Sequence, residues 1–397
     1  MKKEKELPVL LVIGGEAEED WYTLCDEYKD KFRVEQRPMS EVFLISYHNQ
    51  KGPYIELAPS RNPKNRLEEK AIHNLHPTVV IVRMMTRYIN CHIGETPDYR
   101  NILYGLYHSN VPIINGYGAL IAETEKPILY GRLKIIQDKV GAKEFPLIPQ
   151  YYFPEYELIK PYATFPFVLK VGFPHAGFGK MKINNEEELS DAKNLIALGN
   201  TYSSVEPFID SEYELRICFI APDYYRVHKR MSCSWKVNYG MTNVRKDAEM
   251  TPRWKRWVDL IRLHFPDMMT FAVDAIVDTN GNEYILEVNG SSQGFTPEHD
   301  TEDLIHMRNL CIMKIEEVTG KKILKDENEE KIININDKIE KMKKTIEKVQ
   351  LEIDKTDKQI DNLKFSVKYI QKKEKIPVFS VIICTFVLGI IINYILT

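Results

Sequence analysis

The sequence predicts an α/β fold in two consecutive domains, followed by a long helix and a membrane-spanning segment. Three observations carry this prediction. Short apolar runs among the first 120 residues alternate with helical stretches, as in a doubly wound sheet. Two later stretches, Phe165–Ile183 and Phe271–Ser292, alternate apolar and polar residues around glycine turns, as antiparallel hairpins do. A seven-residue apolar repeat then leads into Ile376–Thr397, which holds no charged residue. The expected organisation is an α/β domain over 7–120 and an α+β domain over 121–318. A linker over 319–330, a coiled coil over 331–375 and a transmembrane helix over 376–397 follow.

Composition narrows the function classes. A net charge of −3 over 397 residues gives no argument for nucleic acid. The six cysteines (Cys25, Cys91, Cys218, Cys233, Cys311, Cys384) lie far apart with no C-x-x-C spacing. Neither a zinc ribbon nor a disulfide framework is indicated, and reduced thiols on the cytosolic side fit. The start, MKKEKELPVLLVIGG, has too short an apolar run and too many acidic residues for a signal peptide.

Val9–Ile13 reads as the first strand, ending in Gly14-Gly15. The acidic residues after it are the wrong charge for a pyrophosphate, so this is no dinucleotide fingerprint. Thr78–Met84 and Val111–Asn115 read as further buried strands, with helical stretches over Arg87–Ser109 between them. His73, His76, His92 and His108 are scattered and read as polar surface or capping residues.

Phe165–Ile183, FPFVLKVGFPHAGFGKMKI, is the stretch around which the second domain is organised. Its apolar strand contains one lysine, Lys170, and its turn holds Gly172, Gly177 and Gly179. Glycines let backbone N–H groups crowd around an anion, and Lys180 and Lys182 add charge from one face of the next strand. This reads as a hairpin loop closing over phosphates, against the plainer reading of a glycine-rich hairpin with solvated lysines. It is not a P-loop, because no hydroxyl follows Lys180. Lys170 favours the phosphate reading, since a buried lysine is costly unless an anion meets it.

Glu186–Gly199 reads as an amphipathic helix. In Val205–Asp210, VEPFID, apolar side chains could stack on a base while Glu206 meets its polar edge; an edge strand with a proline is the competing reading. Tyr213–Ile220 and Tyr225–Met231 read as paired strands. In SWKVNYG, Lys236 and Asn238 point to one side if extended, as a phosphate-facing loop or as exposed polar residues.

Asn280-Gly281 signals a hairpin between two apolar runs, which sets Asp274 opposite Glu287. Opposed like charges repel, so a divalent cation between them would explain the placement. Asn289 faces the same way and adds a third oxygen. An all-oxygen set favours Mg2+ or a similar hard cation such as Ca2+ or Mn2+, shared with phosphates. A solvent-facing acidic edge is the competing reading.

These features in this order resemble the ATP-grasp arrangement, and among its members the synapsin family. The similar stretches include KPILYGR, EFPLIPQYYFP, TYSSVEPFIDSEYELRI, SWKVNYG, RWKRWVDL and ILEVNGSS, and the resemblance spans about 7–318. It implies a pre-ATP-grasp domain followed by an ATP-grasp domain that binds ATP. It further implies that Lys126 and Lys170 hold the phosphates and that Gly172–Lys180 is a lid loop. Glu206, Phe208 and Ile209 would frame the adenine, Lys236 would reach the triphosphate, and Asp274, Glu287 and Asn289 would hold the metal. Two residues depart from the synapsin pattern. Asp274 stands where a glutamate is usual, and Asn289 stands where valine is usual, as in ATP-grasp ligases. The metal set is then as complete as in ligases. The phosphorylated N-terminal segment and proline-rich tail of synapsins are absent from this sequence.

From Ile332 to Ile370 apolar residues recur at spacings of three and four, a heptad repeat that needs a partner helix and implies a homo-oligomer. Lys372, Lys373 and Lys375 precede Ile376–Thr397 and would keep that end in the cytosol. The segment is long enough to cross a bilayer core, so a single-pass tail anchor in a vesicle or other internal membrane is expected. Two functions follow as expectations. One is an ATP-binding module that tethers or clusters membranes. The other is a ligase that phosphorylates a carboxylate and passes the acyl group to an amine or thiol, with Arg230 and Asn289 stabilising the phosphoryl charge.

Overall fold

A computed structural model describes residues 7–15, 19–45, 52–58, 73–88, 97–162, 164–173, 177–199, 201–231, 235–236, 244–295 and 299–324. It also describes 343–346, 348–350, 352–353, 355–366 and 368. The chain divides into two compact units, 1–324 and 325–397.

In the first unit, β1 (Val9–Ile13) is buried at every position. The helix α1 (Trp21–Leu24) leads to β2 (Arg33–Arg37), which runs parallel to β1. A small antiparallel sheet of β3 (Val42–Ile45), β4 (Ile55–Leu57) and β5 (His73–Leu75) follows. Then come β6 (Val79–Val82), α2 (Arg100–Ser109) and β7 (Ile113–Ile114), giving a parallel sheet in the order β2-β1-β6-β7. Both faces of β1 are covered, which is why it reads as an unbroken apolar run. Leu11 and Ile13 pack with Leu103 and Leu106 of α2. Leu10 and Val12 pack with Trp21 and with Leu310 and Ile315, which come from almost 300 residues away.

The chain continues through α3 (Tyr117–Thr124), α4 (Lys126–Val140), β8 (Tyr151–Phe153), β9 (Phe167–Val171), β10 (Lys180–Ile183), α5 (Glu186–Ala197) and β11 (Ser203–Pro207). These strands form an antiparallel sheet, β10-β9-β11-β8. The buried alternates Phe167, Leu169 and Val205 pack on Leu189, Ala192 and Ile196 of α5. Asn185 caps that helix, accepting from the Glu188 backbone N–H.

A five-stranded antiparallel sheet is built from β12 (Ser211–Ile220), β13 (Tyr224–Met231), β14 (Val244–Asp247), β15 (Thr270–Asp278) and β16 (Glu283–Asn289), in the order β14-β13-β12-β15-β16. Between β14 and β15 lies α6 (Pro252–His264), whose Trp257 is fully buried against Phe219 and Phe271. Burial of side chains of this size contributes about 1.5–3 kcal/mol each. The last helix, α7 (Asp300–Thr319), returns to the first sheet as its outer cover. The two expected strands in 201–231 are thus present, each two residues or fewer from its expected start.

The second unit is described only where it is helical. Those residues fall within the heptad repeat. No helix among the described residues is long and apolar enough to cross a membrane. Ile376–Thr397 lies outside the described residues, as do both ends of the expected coiled coil.

Candidate functional site

The crevice between the β8–β11 sheet and the β12–β16 sheet gathers most of the predicted residues. Lys170, Lys180, Glu206, Phe208, Ile209, Lys236 and Gly177 line it, together with Glu214 and Arg230. An adjoining chamber is lined by Lys126, Lys170, Gly172, Lys180 and Glu287. The turn between β9 and β10 has Gly172, Gly177 and Gly179 at φ of +62°, +84° and +65°. These left-handed conformations cost an L side chain about 1–2 kcal/mol, which explains three glycines in eight residues.

Lys126, Lys170 and Lys180 each meet a carboxylate. Lys170 is 9% exposed on β9, and its Nζ lies 2.6 Å from Glu206 Oε2. Gln150 Nε2 donates to the same oxygen at 2.8 Å. The anion that Lys170 requires is therefore supplied within the protein, by a residue the sequence reading assigned to the adenine. Lys126, the first residue of α4, lies 3.1 Å from Glu287 Oε2, and Lys180 lies 4.0 Å from Glu287 Oε1. Burial works against ionisation of Glu287, but the charges of Lys126, Lys180 and Lys170 outweigh it and hold its carboxyl well below the usual range. Lys180 is itself disfavoured by burial, yet Glu287, Glu206 and Glu214 leave its pKa raised.

Asp274 does stand opposite Glu287, by a route the sequence did not show. Near the turn Val277 pairs with Glu283, one residue out of the expected register. A bulge at Leu286 then restores it, since Ala275 pairs with Ile285 while Asp274 pairs with Glu287. The repulsion between the two acids is relieved by side-chain cations. Arg216 Nη1 donates to both Asp274 oxygens at 3.1 and 3.0 Å, Arg230 donates to Oδ1 at 2.9 Å, and Asn289 Nδ2 donates to Oδ2 at 2.7 Å. Four contacts fill the acceptor capacity of a carboxylate. Like-charge opposition by itself is therefore no argument for a metal here.

The oxygens of Glu287 and Asn289 nonetheless converge. Both lie near one cation, Lys126 Nζ, at 3.1 and 3.5 Å. The oxygen chemistry of these donors is that of a hard-cation site. Asp274 could join only by giving up an arginine contact. Among the described residues no group of three His, Cys, Asp or Glu is placed to hold a metal ion.

Sequence reasoning passed over Gln150, Glu214 and Arg216. The alternation in SEYELRI was the available signal, because it sets Glu214 and Arg216 on one face of β12. Glu214 pairs with Arg230 at 3.0 Å. Burial, aided by Asp274 and Glu287, pushes its pKa up to about 7 against the pull of Arg230 and Lys180. On the other wall Lys182 lies 3.7 Å above the Phe208 ring, and Trp235 meets that ring edge-on at 6.1 Å. Burial, with Lys180 nearby, lowers the pKa of Lys236. The turn after β16 is held closely against the first domain. A Cβ on Gly290 would collide with Glu123, and Arg83 donates to the Gln293 carbonyl at 3.1 Å.

Two family profiles match this chain. One, described as the synapsin ATP binding domain, covers residues 115–317. The other, described as the synapsin pre-ATP-grasp domain, covers residues 3–113. The chain belongs to the synapsin family. It is 29% identical to synapsin of Drosophila melanogaster over 292 residues, which are 70% of this chain and 27% of that protein. The chain thus spans about a quarter of the length of this relative. Its fold is similar to that of D-alanyl-alanine synthetase A from Vibrio cholerae, with a TM-score of 0.52 and 14% identity over 78% of this chain and 99% of the other. It is also similar to VanG D-Ala:D-Ser ligase from Enterococcus faecalis, with a TM-score of 0.51 and 15% identity over 78% and 100% of the two chains. The ATP-grasp ligase PsnB, solved with a precursor variant, Mg and ADP, has a TM-score of 0.52 and 11% identity over 78% and 99%. At these identities the likeness concerns the ATP-grasp fold. The residues that line the crevice fall within the matched ATP binding domain.

Proposed function

We propose that this synapsin-family protein binds ATP with a divalent cation between its β8–β11 and β12–β16 sheets and tethers or clusters membranes through its C-terminal segments. The observation that carries the ATP reading is the set of lysines, Lys126, Lys170 and Lys180, each holding a carboxylate at the crevice. A triphosphate would compete for the lysines, and the released Glu287 and Asn289 would hold Mg2+ or a similar hard ion. That ion would neutralise phosphate charge. Glu206, Phe208 and Ile209 would receive the adenine, Lys236 would reach the phosphates, and the loop from Gly172 to Lys180 would close over them.

The tethering part rests on the heptad repeat, its helical described residues, and the charge-free Ile376–Thr397 behind a lysine cluster. A tail anchor there would leave the ATP-binding domain in the cytosol. About 40 residues of coiled coil at 1.5 Å each would stand it roughly 60 Å from the bilayer. A second reading, a ligase acting through an acyl phosphate, is favoured by Asn289 and Arg230 both lying on Asp274. Calorimetry of the chain with ATP, with and without EDTA, tests the first reading, and absence of binding overturns it. ADP release in the presence of carboxylates and amines would favour the ligase.

A further inference from the structure

The described residues of 325–397 present an uncovered apolar stripe. Ile346, Val349, Ile353 and Leu363 are 63%, 51%, 46% and 44% exposed, each in a helical described stretch. Their spacing places them on one face, the a and d positions of the heptad. Thr356 belongs to the same stripe, and its hydroxyl donates to the Glu352 carbonyl at 2.8 Å. Its polar group is satisfied within the helix, so its methyl can face a partner.

The residues flanking the stripe decide how a partner helix lies. Within 343–366 the e positions hold Lys343, Gln350, Asp357 and Lys364, and the g positions hold Thr345, Glu352, Gln359 and Ser366. In a parallel pair each g residue faces the e residue five positions on in the other copy. That sets Glu352 against Asp357 on both sides, and the neighbouring pairs, Thr345 with Gln350 and Gln359 with Lys364, offer no opposite charge. In an antiparallel pair e faces e and g faces g. With Ile346 packed on Thr356 and Val349 on Ile353, Lys343 of each copy meets Asp357 of the other. The one like-charge contact left is Glu352 with itself at the midpoint. Sliding a copy by one heptad in either direction loses both Lys343–Asp357 pairs while parting the two Glu352, and in one direction it also sets Lys343 against Lys364. The favoured register also lays the whole repeat, Ile332 to Ile370, against itself end to end.

We propose that this helix pairs with a second copy of the chain in the antiparallel direction, centred between Gln350 and Glu352. The consequence rests on the coiled-coil and tail-anchor readings above. An antiparallel pair sends its two anchors out at opposite ends, so one pair would hold two apposed bilayers together. A parallel pair would place both anchors in one bilayer.

A charge reversal separates the two geometries, because its effect changes sign between them. Asp357→Lys in the full chain, studied in detergent by sedimentation equilibrium, sets Lys343 against a lysine twice in the antiparallel pair. Self-association should weaken about tenfold, and adding Lys343→Asp should restore it. In a parallel pair Asp357→Lys would instead gain two contacts with Glu352 and tighten association. Cysteine chemistry gives an independent reading, with the unsubstituted chain as blank. Chains carrying Ile346→Cys and Thr356→Cys should cross-link when mixed. Thr356→Cys alone should not, since its two copies lie ten residues, about 15 Å, apart along the axis. Tighter association of Asp357→Lys, or self-cross-linking of Thr356→Cys, overturns the antiparallel pairing and leaves a coiled coil standing. A monomeric parent chain overturns the pairing and the coiled coil together. Carbonate extraction tests the anchor separately.

Discussion

Lys170→Met is the perturbation that separates what the crevice lysine does for the fold from what it does for a nucleotide. The change removes a cation 2.6 Å from Glu206 and leaves that carboxylate 4% exposed, with Gln150 at 2.8 Å as its remaining side-chain donor. Breaking one side of a buried ion pair costs about 3–5 kcal/mol, because the other charge stays desolvated. Methionine recovers part of the packing, so a loss of about 3 kcal/mol is expected. The double variant Lys170→Met/Glu206→Gln replaces the whole pair by neutral groups of similar volume and should return to within about 1 kcal/mol of the parent. ATP affinity should behave differently. A charge-assisted contact to phosphate is worth about 1.5–3 kcal/mol, so binding should fall about tenfold or more in both variants. Urea unfolding followed by tryptophan fluorescence reads the relevant unit, since all four tryptophans lie in 1–324. Calorimetry gives the affinity. A single variant as stable as the parent would refute the buried pair, and affinity that returns with stability in the double variant would refute the phosphate role.

Glu287→Gln should reduce the dependence of ATP binding on a divalent cation while leaving adenosine contacts, and unaltered ATP affinity of the parent in EDTA would show the metal assignment to be wrong. Glu214 has a pKa of about 7 when folded against an ordinary value of 4.5, so the folded state holds more protons between these values. Stability therefore falls as pH rises through that window. Glu214→Gln should flatten the fall in unfolding midpoint from pH 4.5 to pH 7, and an unchanged profile would remove Glu214 as its cause. A fluorescent fusion of residues 321–397 should resist alkaline carbonate and expose its N-terminal tag to cytosolic protease; release by carbonate would overturn the tail anchor.

Local pattern in this sequence determined a good deal. The unbroken apolar run Val9–Ile13 read as the first strand of an α/β domain, and period-two alternation around glycines marked β9–β10 and β15–β16. These signals are legible because they depend on backbone geometry over a few residues. The same holds for the heptad repeat, whose described residues are helical. Which side chain answers which charge was not legible. The sequence suggested phosphate for Lys170 and a metal for Asp274. Tertiary structure brought Glu206 to the first, and Arg216 and Arg230 to the second, from strands 36, 58 and 44 residues away. Likewise nothing local announced that α7 would return to cover β1. A buried charge or an apolar face states that a partner must exist, but the partner's identity depends on which strands and helices meet, and that is settled only when the chain folds.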